Sequence, residues 1–592
     1  MKLTTPCQTE ELGCLHTISW GHLVSDVEHA LGAEGVLYAE SLSTESRRAT
    51  GTVYTPRSLV DFVLREAGFH GDEDVTVLDP SCGAGAFLLA ALDRIAASVA
   101  SSGTPLTTRR GRQRLLSRTE RRLLGVDIDP KACALARSAI RERICELTHQ
   151  PLPADFFTDN ILEGDFLSAD LEGRLPSNIK LVVGNPPYVQ TTRLTDSQKA
   201  QFRERFRTAF GRIDLYALFF ERALEILTPG GTLAFVTPDK YLSSKSMEPL
   251  RRVLLNDSAV RRIATFKSHK VFPNAATVPC VTVLERSRPL HTVHISDCAY
   301  SAARVRVLRQ ADVPASKRLH INRWVTLHPD ILRVATRIRR GHRKLVEHTL
   351  RISAGYATGR DNIFILPTTA AAGIEPELLH PAVRGRDIQP WSISDSDRYI
   401  LLPYSFESAK PALVDLSDFP GAAAYLSQFR GELVQRHCVR KWSKRWYDIH
   451  DPVSLDVPGS VKIIVPDVAN RNRFAVDDGG RCPLHSCYYI LLHEPEHAEH
   501  IASLLNSKPI EFLVHLAAPV VKDGFRRYRQ QFLAQLPIPT LNAAARRRLA
   551  AGSASADLDA VDDIAAELFG LSAADLRLID AYLHEQASPH AP

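Results

Sequence analysis

Residues 51–288 predict an α/β fold, a mostly parallel open sheet with helices on its faces, and the chain beyond predicts a mixed α+β domain. Short β-rich apolar runs recur at 75–78, 123–127, 179–183, 232–237, 262–266 and 281–284. Amphipathic stretches lie between them, at 87–99 and 131–147, with apolar residues three and four apart as one helix face requires. A third helix at 215–227 is ended by Pro229, Gly230 and Gly231. After residue 289 that alternation stops, arginine becomes frequent and tryptophans cluster.

Four regions follow: a lead-in at 1–50, the α/β domain at 51–288, a second domain at 289–540 and a helical tail at 541–592. Within the tail, 541–556 reads as a helix end plus linker, and 557–584 as two short amphipathic helices. Hydrophobic residues make up 44% and charged residues 24% of 592, values of an ordinary globular chain. The formal charge of +6 permits a polyanionic partner without requiring one. The ten cysteines form no CxxC pair. Cys482, His485 and Cys487 stand close together but lack a second ligand pair, so reduced thiols and no metal are expected. Residues 1–20 lack a basic start before an apolar run, and no apolar stretch approaches the ~18 residues of a membrane span.

The strongest local signal is Val77-Leu78-Asp79-Pro80-Ser81-Cys82-Gly83-Ala84-Gly85-Ala86-Phe87. A strand ends in a carboxylate, and a Gly-x-Gly turn then opens a helix, letting the backbone approach a ligand closely. Ligands of open α/β sheets lie off the carboxyl ends of the strands. There is no GxGxxG fingerprint and no phosphate-loop Lys, so the expected ligand lacks a pyrophosphate. Leu124-Gly125-Val126-Asp127 ends the next strand in an acid placed for a ribose diol. Gly164-Asp165-Phe166 offers a third carboxylate and a ring. Any one of these acids could be a turn residue; three at successive strand ends point to a nucleoside-like ligand.

Val183-Gly184-Asn185-Pro186-Pro187-Tyr188 ends a fourth strand. An exocyclic amine such as that of adenine is a poor nucleophile, because its lone pair is delocalised into the ring. The side-chain carbonyl of Asn185 and the main-chain carbonyl of Pro186 could accept its two N–H bonds and favour the pyramidal nitrogen. Two prolines stiffen the loop and hold the residue before each extended. Tyr188 offers a flat face for an extruded base. The plain alternative is a Pro-Pro turn with Asn185 as its cap.

These motifs resemble those of the amino-methyltransferases. Asn185-Pro186-Pro187-Tyr188 is similar to their catalytic tetrad and the Asp79–Phe87 segment to their cofactor loop. Gly51-Thr52-Val53-Tyr54-Thr55-Pro56 resembles the motif that closes over the cofactor's methionine end. This order, with a long C-terminal region, resembles the gamma-class adenine-N6 DNA methyltransferases of bacterial type II restriction-modification systems. The resemblance implies a Rossmann-like seven-stranded S-adenosylmethionine-dependent domain followed by a DNA-recognition domain, in the bacterial cytoplasm. It implies cofactor contacts from Tyr54, Thr55, Asp79, Pro80, Ser81, Cys82, Gly83, Gly85, Asp127, Ile128, Asp165 and Phe166, with Pro187 passing near the cofactor's adenine. Asn185 and Pro186 would orient the target amine and Tyr188 would stack on the base. Phe272, in Val271-Phe272-Pro273, would cover its other side. The activated sulfonium methyl calls for neither a metal nor a strong base. The implied partners are double-stranded DNA and a cognate restriction endonuclease, with the protein acting as a monomer.

Candidate DNA contacts are Arg193, Lys199, Arg203, Arg205, Arg207 and Arg212 after the tetrad. In the second domain they are the 351–360 segment, Arg384 and Arg386, then Arg440, Lys441, Lys444 and Arg445 among Trp442, Trp446 and Tyr447, and the 522–528 segment. Basic residues beside aromatics suit phosphate and base contacts, and equally suit a charged surface over a packed ring. Other readings are an RNA or protein-glutamine methyltransferase, a methyltransferase joined to a cryptic endonuclease, and a DNA-binding scaffold on an inactive domain.

Overall fold

A computed structural model describes residues 55–587 apart from 72–73, 169–170, 172, 190–193, 212–213, 267–270, 273–277, 302–303, 396, 407–410, 455–456 and 523. The lead-in, Tyr54, Arg193 and Arg212 lie outside the described residues. The chain divides into two compact units, one ending at Pro329 and the other beginning at Asp330.

The first unit is built on one sheet. Its strands are β1 (Thr76–Asp79), β2 (Leu123–Asp127), β3 (Ile161–Glu163), β4 (Ile179–Gly184), β5 (Thr232–Pro238), β6 (Ala259–Thr265), β7 (Pro279–Glu285), β8 (Thr292–Tyr300) and β9 (Val305–Pro314). They run in the order β3-β2-β1-β4-β5-β7-β6-β8-β9. Neighbours from β3 to β5 are parallel, whereas β7 lies antiparallel between β5 and β6. Side chains alternate along each strand, so the sheet has two cores. Val77, Leu181, Val183, Ala234 and Val236 join helices α1 (Arg57–Glu66) and α2 (Ala86–Ser101). Leu78, Val182, Leu233 and Phe235 join the ring-rich helix Leu215–Ile226 on the other face.

Two expectations are corrected here. The sheet has nine strands, not seven, and residue 289 falls between β7 and β8, inside the sheet rather than at a boundary. The reason is compositional: β9 is an edge strand whose mostly solvent-accessible residues include Arg306 and Arg309, so it carries the polar texture of a different domain.

Arg251 is buried in this unit, with no carboxylate in salt-bridge contact among the described residues. Its guanidinium donates to the main-chain oxygens of Tyr241, Ser244, Ile321 and Asn322 at 2.5, 2.9, 2.7 and 2.9 Å. One side chain thus ties the segment after β5 to the segment 321–322.

The second unit mixes strands and helices. One antiparallel sheet runs Thr349–Ala354, Cys487–Leu492, Lys462–Pro466, Ala475–Asp477; a second contains Ile365–Pro367, Arg398–Leu401, Leu379–Val383 and Cys482–Pro483. Cys482 and Cys487 are buried thiols whose pKa burial pushes up to about 12. The segment 541–556, expected as a helix end plus linker, is helical over Ala543–Ala554 and capped by the Asn542 side chain. Nor is the tail an appendage. Asp575, wholly buried, pairs with Arg333 and Arg337, and Ser503 donates to Leu549 O at 3.0 Å.

Candidate active site

The carboxyl ends of β1, β2, β3 and β4 bring the predicted loops together. Asp79 closes β1 and is 1% exposed; its Oδ1 accepts the Ser81 N–H at 3.1 Å. Gly184, the last residue of β4, makes room for it: a Cβ there would stand 2.7 Å from Asp79 Oδ1. The glycine before Asn185 is therefore required by the neighbouring strand's carboxylate, which the sequence reading missed.

At the turn after β1, Gly85 has φ 95°, and a Cβ on it would sit 3.3 Å from Ala136 Cβ on helix Pro130–Thr148. Any larger residue would be strained and crowded at once. Gly83 donates its N–H to Asp127 Oδ2 at 2.8 Å, and Asp129 N–H reaches Asp127 Oδ1 at 2.9 Å. Asp129 in turn caps that helix, with Pro130 at its first position. The second-strand acid thus pins both loops. Cys82 is buried, its N–H bound to Val126 O at 2.9 Å, and buried Pro80 and half-buried Ser81 complete the turn. Beside Asp127, Ile128 is 66% exposed, an uncovered apolar face at the mouth of the carboxylate row. Asp165 is half-buried and its Oδ1 accepts Leu167 N–H at 2.9 Å.

This set fits a cationic, nucleoside-bearing ligand. The Asp79 carboxyl is pushed from 3.8 to about 8, chiefly by burial, with Ser81 N–H opposing and the nearby Asp127 reinforcing. No cation partners it among the described residues, so a bound ammonium would restore its charge. Asp127 with exposed Ile128 suits a ribose and an adenine face.

A pH dependence follows. Between about pH 4 and about pH 8 the native protein holds a proton on Asp79 that the unfolded chain has released, so unliganded stability should fall as pH rises. Asp79→Asn should flatten that slope and melt above wild type near the upper end. Wild-type melting curves that stay level or rise across this window would contradict it.

Asn185 follows β4. Its Nδ2 donates to Thr55 Oγ1 at 3.1 Å, its Oδ1 accepts the Tyr188 hydroxyl at 2.6 Å, and its main-chain oxygen accepts Ser81 Oγ at 3.4 Å. Pro186 is buried and Pro187 half-buried. The Tyr188 ring, half-buried, stands edge-on to Tyr216 at 6.4 Å, and burial raises its hydroxyl pKa. The expected stacking platform therefore rests against Asn185.

Two of the expected site aromatics are enclosed by packing. Phe272 is 3% exposed in the core that holds Phe266 and Val271, and Phe166 is packed 5.3 Å from Phe219 in the opposite core.

Several expected DNA contacts also have structural partners. Arg207 pairs with Glu221 and Asp257. Arg526 is buried and donates to Ala518 O and Gln586 Oε1 at 3.0 and 2.5 Å. Lys444 donates to Ile449 O at 2.9 Å, Arg445 to the Tyr447 hydroxyl at 2.8 Å, and Arg360 lies 3.6 Å from Glu432. Arg384 starts a turn through its N–H to Asp387 at 2.8 Å. Exposed in the second unit are Arg440, Lys441 and Trp442, the last 53% exposed, with His437 and His450 rings 5.3 and 5.0 Å from its own.

Residues 121–272 match the Eco57I restriction-modification methylase family, and residues 380–538 match the TaqI-like C-terminal specificity domain. The chain is 26% identical over 556 residues to the type II methyltransferase M.XhoI of Xanthomonas vasicola, covering 89% of this chain and 98% of that one. It is also 26% identical over 569 residues to M.BstVI of Geobacillus stearothermophilus, covering 91% and 99%. Its fold is similar to that of the Type IIL restriction-modification enzyme MmeI, solved in complex with DNA. The TM-score is 0.58 and the identity 14%, over 94% of this chain and 81% of that one. The methylase match spans β2 to β6 and takes in Asp127, Asp165 and the Asn185 loop, while Thr55 and the Asp79–Gly85 turn precede it.

Proposed function

We propose that this protein is a site-specific DNA methyltransferase that methylates N6 of an adenine turned out of a duplex, beside a cognate restriction endonuclease and as a monomer. The observation that carries the reading is the Asn185 amide, fixed at the end of β4 by Thr55, Ser81 and Tyr188, next to the buried Asp79. Site-specific DNA methylation is the activity supported by the methylase domain, the specificity domain and the near full-length similarity to type II methyltransferases. The specificity domain after the methylase favours DNA over an RNA or protein acceptor.

S-adenosylmethionine, when bound, supplies a sulfonium-activated methyl group and leaves as a neutral thioether. Asp79 would hold its ammonium, Asp127 its ribose hydroxyls and Ile128 a face of its adenine. Asn185 Oδ1 and Pro186 O accept the two N–H bonds of the target amine, aiming the nitrogen lone pair and stabilising the positive charge that develops on it. Tyr188 swings from Asn185 to lie against the base. The proton lost from the methylated nitrogen passes to water, because an alkylated arylammonium is strongly acidic.

Nucleoside mass spectrometry of DNA treated with the protein and donor tests the acceptor atom: N6-methyldeoxyadenosine is expected, and N4-methyldeoxycytidine in its place would overturn the adenine assignment. In the second unit, Trp442→Ala should raise the KM for DNA on the order of tenfold, the loss of one aromatic contact to a base or sugar, with little change in donor affinity. An unchanged KM for DNA would remove Trp442 from the interface.

A further inference from the structure

The hydrogen bond between Asn185 Nδ2 and Thr55 Oγ1 joins side chains 130 residues apart, one on the loop after β4 and one just before α1. Both precede a proline, Pro186 and Pro56, so both backbones are held extended and the two side chains meet from stiff supports. Thr55 is itself 8% exposed. On the far side of the amide, Oδ1 accepts the Tyr188 hydroxyl at 2.6 Å.

An amide has two faces of opposite character, and only the oxygen can accept an N–H from the target amine. Rotated by half a turn, Asn185 would offer its own N–H bonds to that amine and repel it. Tyr188 does not prevent this once the base arrives, because its hydroxyl occupies the position the amine needs and has to leave. Thr55 lies on the other side and can stay.

We infer that Thr55 is a positioning residue: its hydroxyl, by taking the Asn185 Nδ2–H, keeps Oδ1 turned towards the incoming amine while Tyr188 gives up its place. Thr55 neighbours the proposed methionine end of the donor, so the bond also ties the donor loop to the catalytic amide. Ser81 Oγ, from the glycine turn, holds the same residue by its main-chain oxygen at 3.4 Å. This inference rests on the methyltransferase reading above.

The test uses the full chain with Thr55→Val, which keeps the shape and removes the hydroxyl, and Thr55→Ser, which restores it. Rates are measured at saturating donor and DNA, and donor affinity separately by equilibrium binding. The inference predicts kcat at least about tenfold lower for Thr55→Val, as expected when a preorganised acceptor is misaligned, with substantial recovery in Thr55→Ser. A Thr55→Val variant with wild-type kcat and only a raised donor KM would overturn it, as would a Ser variant as impaired as Val. If the wild-type protein transfers no methyl group to any DNA, the functional reading itself fails; if it does and Thr55→Val matches it in kcat, the positioning role alone fails.

Discussion

Asn185→Ala should lower the rate of methyl transfer by roughly 10²–10³-fold or more, the usual cost of deleting one preorganised hydrogen-bonding group at a reacting centre. The substitution removes the acceptor Oδ1 and the side-chain bonds to Thr55 and Tyr188. It leaves intact the row of Asp79, Asp127 and Asp165, so donor binding should change little. The loss should therefore fall in kcat under saturating donor, not in donor KM. Single-turnover measurement on DNA isolates this step from product release. A variant within about threefold of wild type would show that Asn185 does not orient the nucleophile.

The largest expected loss of stability lies in the second unit. Lys462 and Asp477 face each other on adjacent antiparallel strands, both side chains are 0% exposed, and Nζ lies 2.5 Å from Oδ2. Lys462 Nζ also donates to Ser460 O at 3.1 Å, while Asp477 accepts N–H bonds from Gly479 and Arg481 at 3.2 Å. A buried pair is costly to desolvate but costlier to halve, because the survivor Asp477 stays charged in a dry site with only the partly exposed Arg481, at 3.4 Å, to offset it. Lys462→Ala should destabilise the unit by about 3–5 kcal/mol. In a unit of this size that corresponds to a fall in melting temperature of order 10 °C. Replacing both residues together, Lys462→Met with Asp477→Leu, should restore most of it, since an apolar pair of similar volume is often as stable. A single variant within about 1 kcal/mol of wild type would show that the site rehydrates at little cost.

How far these features were legible in the sequence depends on their range. β1, β2, β4 and β5 are apolar runs stopped by Asp, Gly or Pro, so their positions and the turns after them follow from local pattern. β3 has three residues, too few to show a period, and β8 and β9 hide in the polar texture of a sheet edge. The loops that assemble the site were readable because glycine, proline and acid at strand ends are local signals. The bond from Thr55 to Asn185 was not, since nothing in either neighbourhood announces a partner 130 residues away.

Aromatics are ambiguous for a different reason. Phe166 and Phe272 look the same in sequence whether they cover a ligand or fill a core, and both rings are buried among apolar neighbours. Arginine is ambiguous in the same way. Arg207, Arg251 and Arg526 spend their charge on carboxylates and carbonyls within the fold. Lys462 did leave a trace: a single lysine in the apolar run 461–465 is the mark of a buried cation, and Asp477 ends the strand that pairs with it.

The central claim is that the Asn185 loop delivers a methyl group to DNA. Its most direct test offers tritium-methyl S-adenosylmethionine and the purified protein to unmodified bacterial duplex DNA, total RNA and protein extract in parallel. The account predicts label in DNA alone, absent when Asn185→Ala replaces wild type. Label in RNA or protein, or none in DNA although the donor binds, would contradict it.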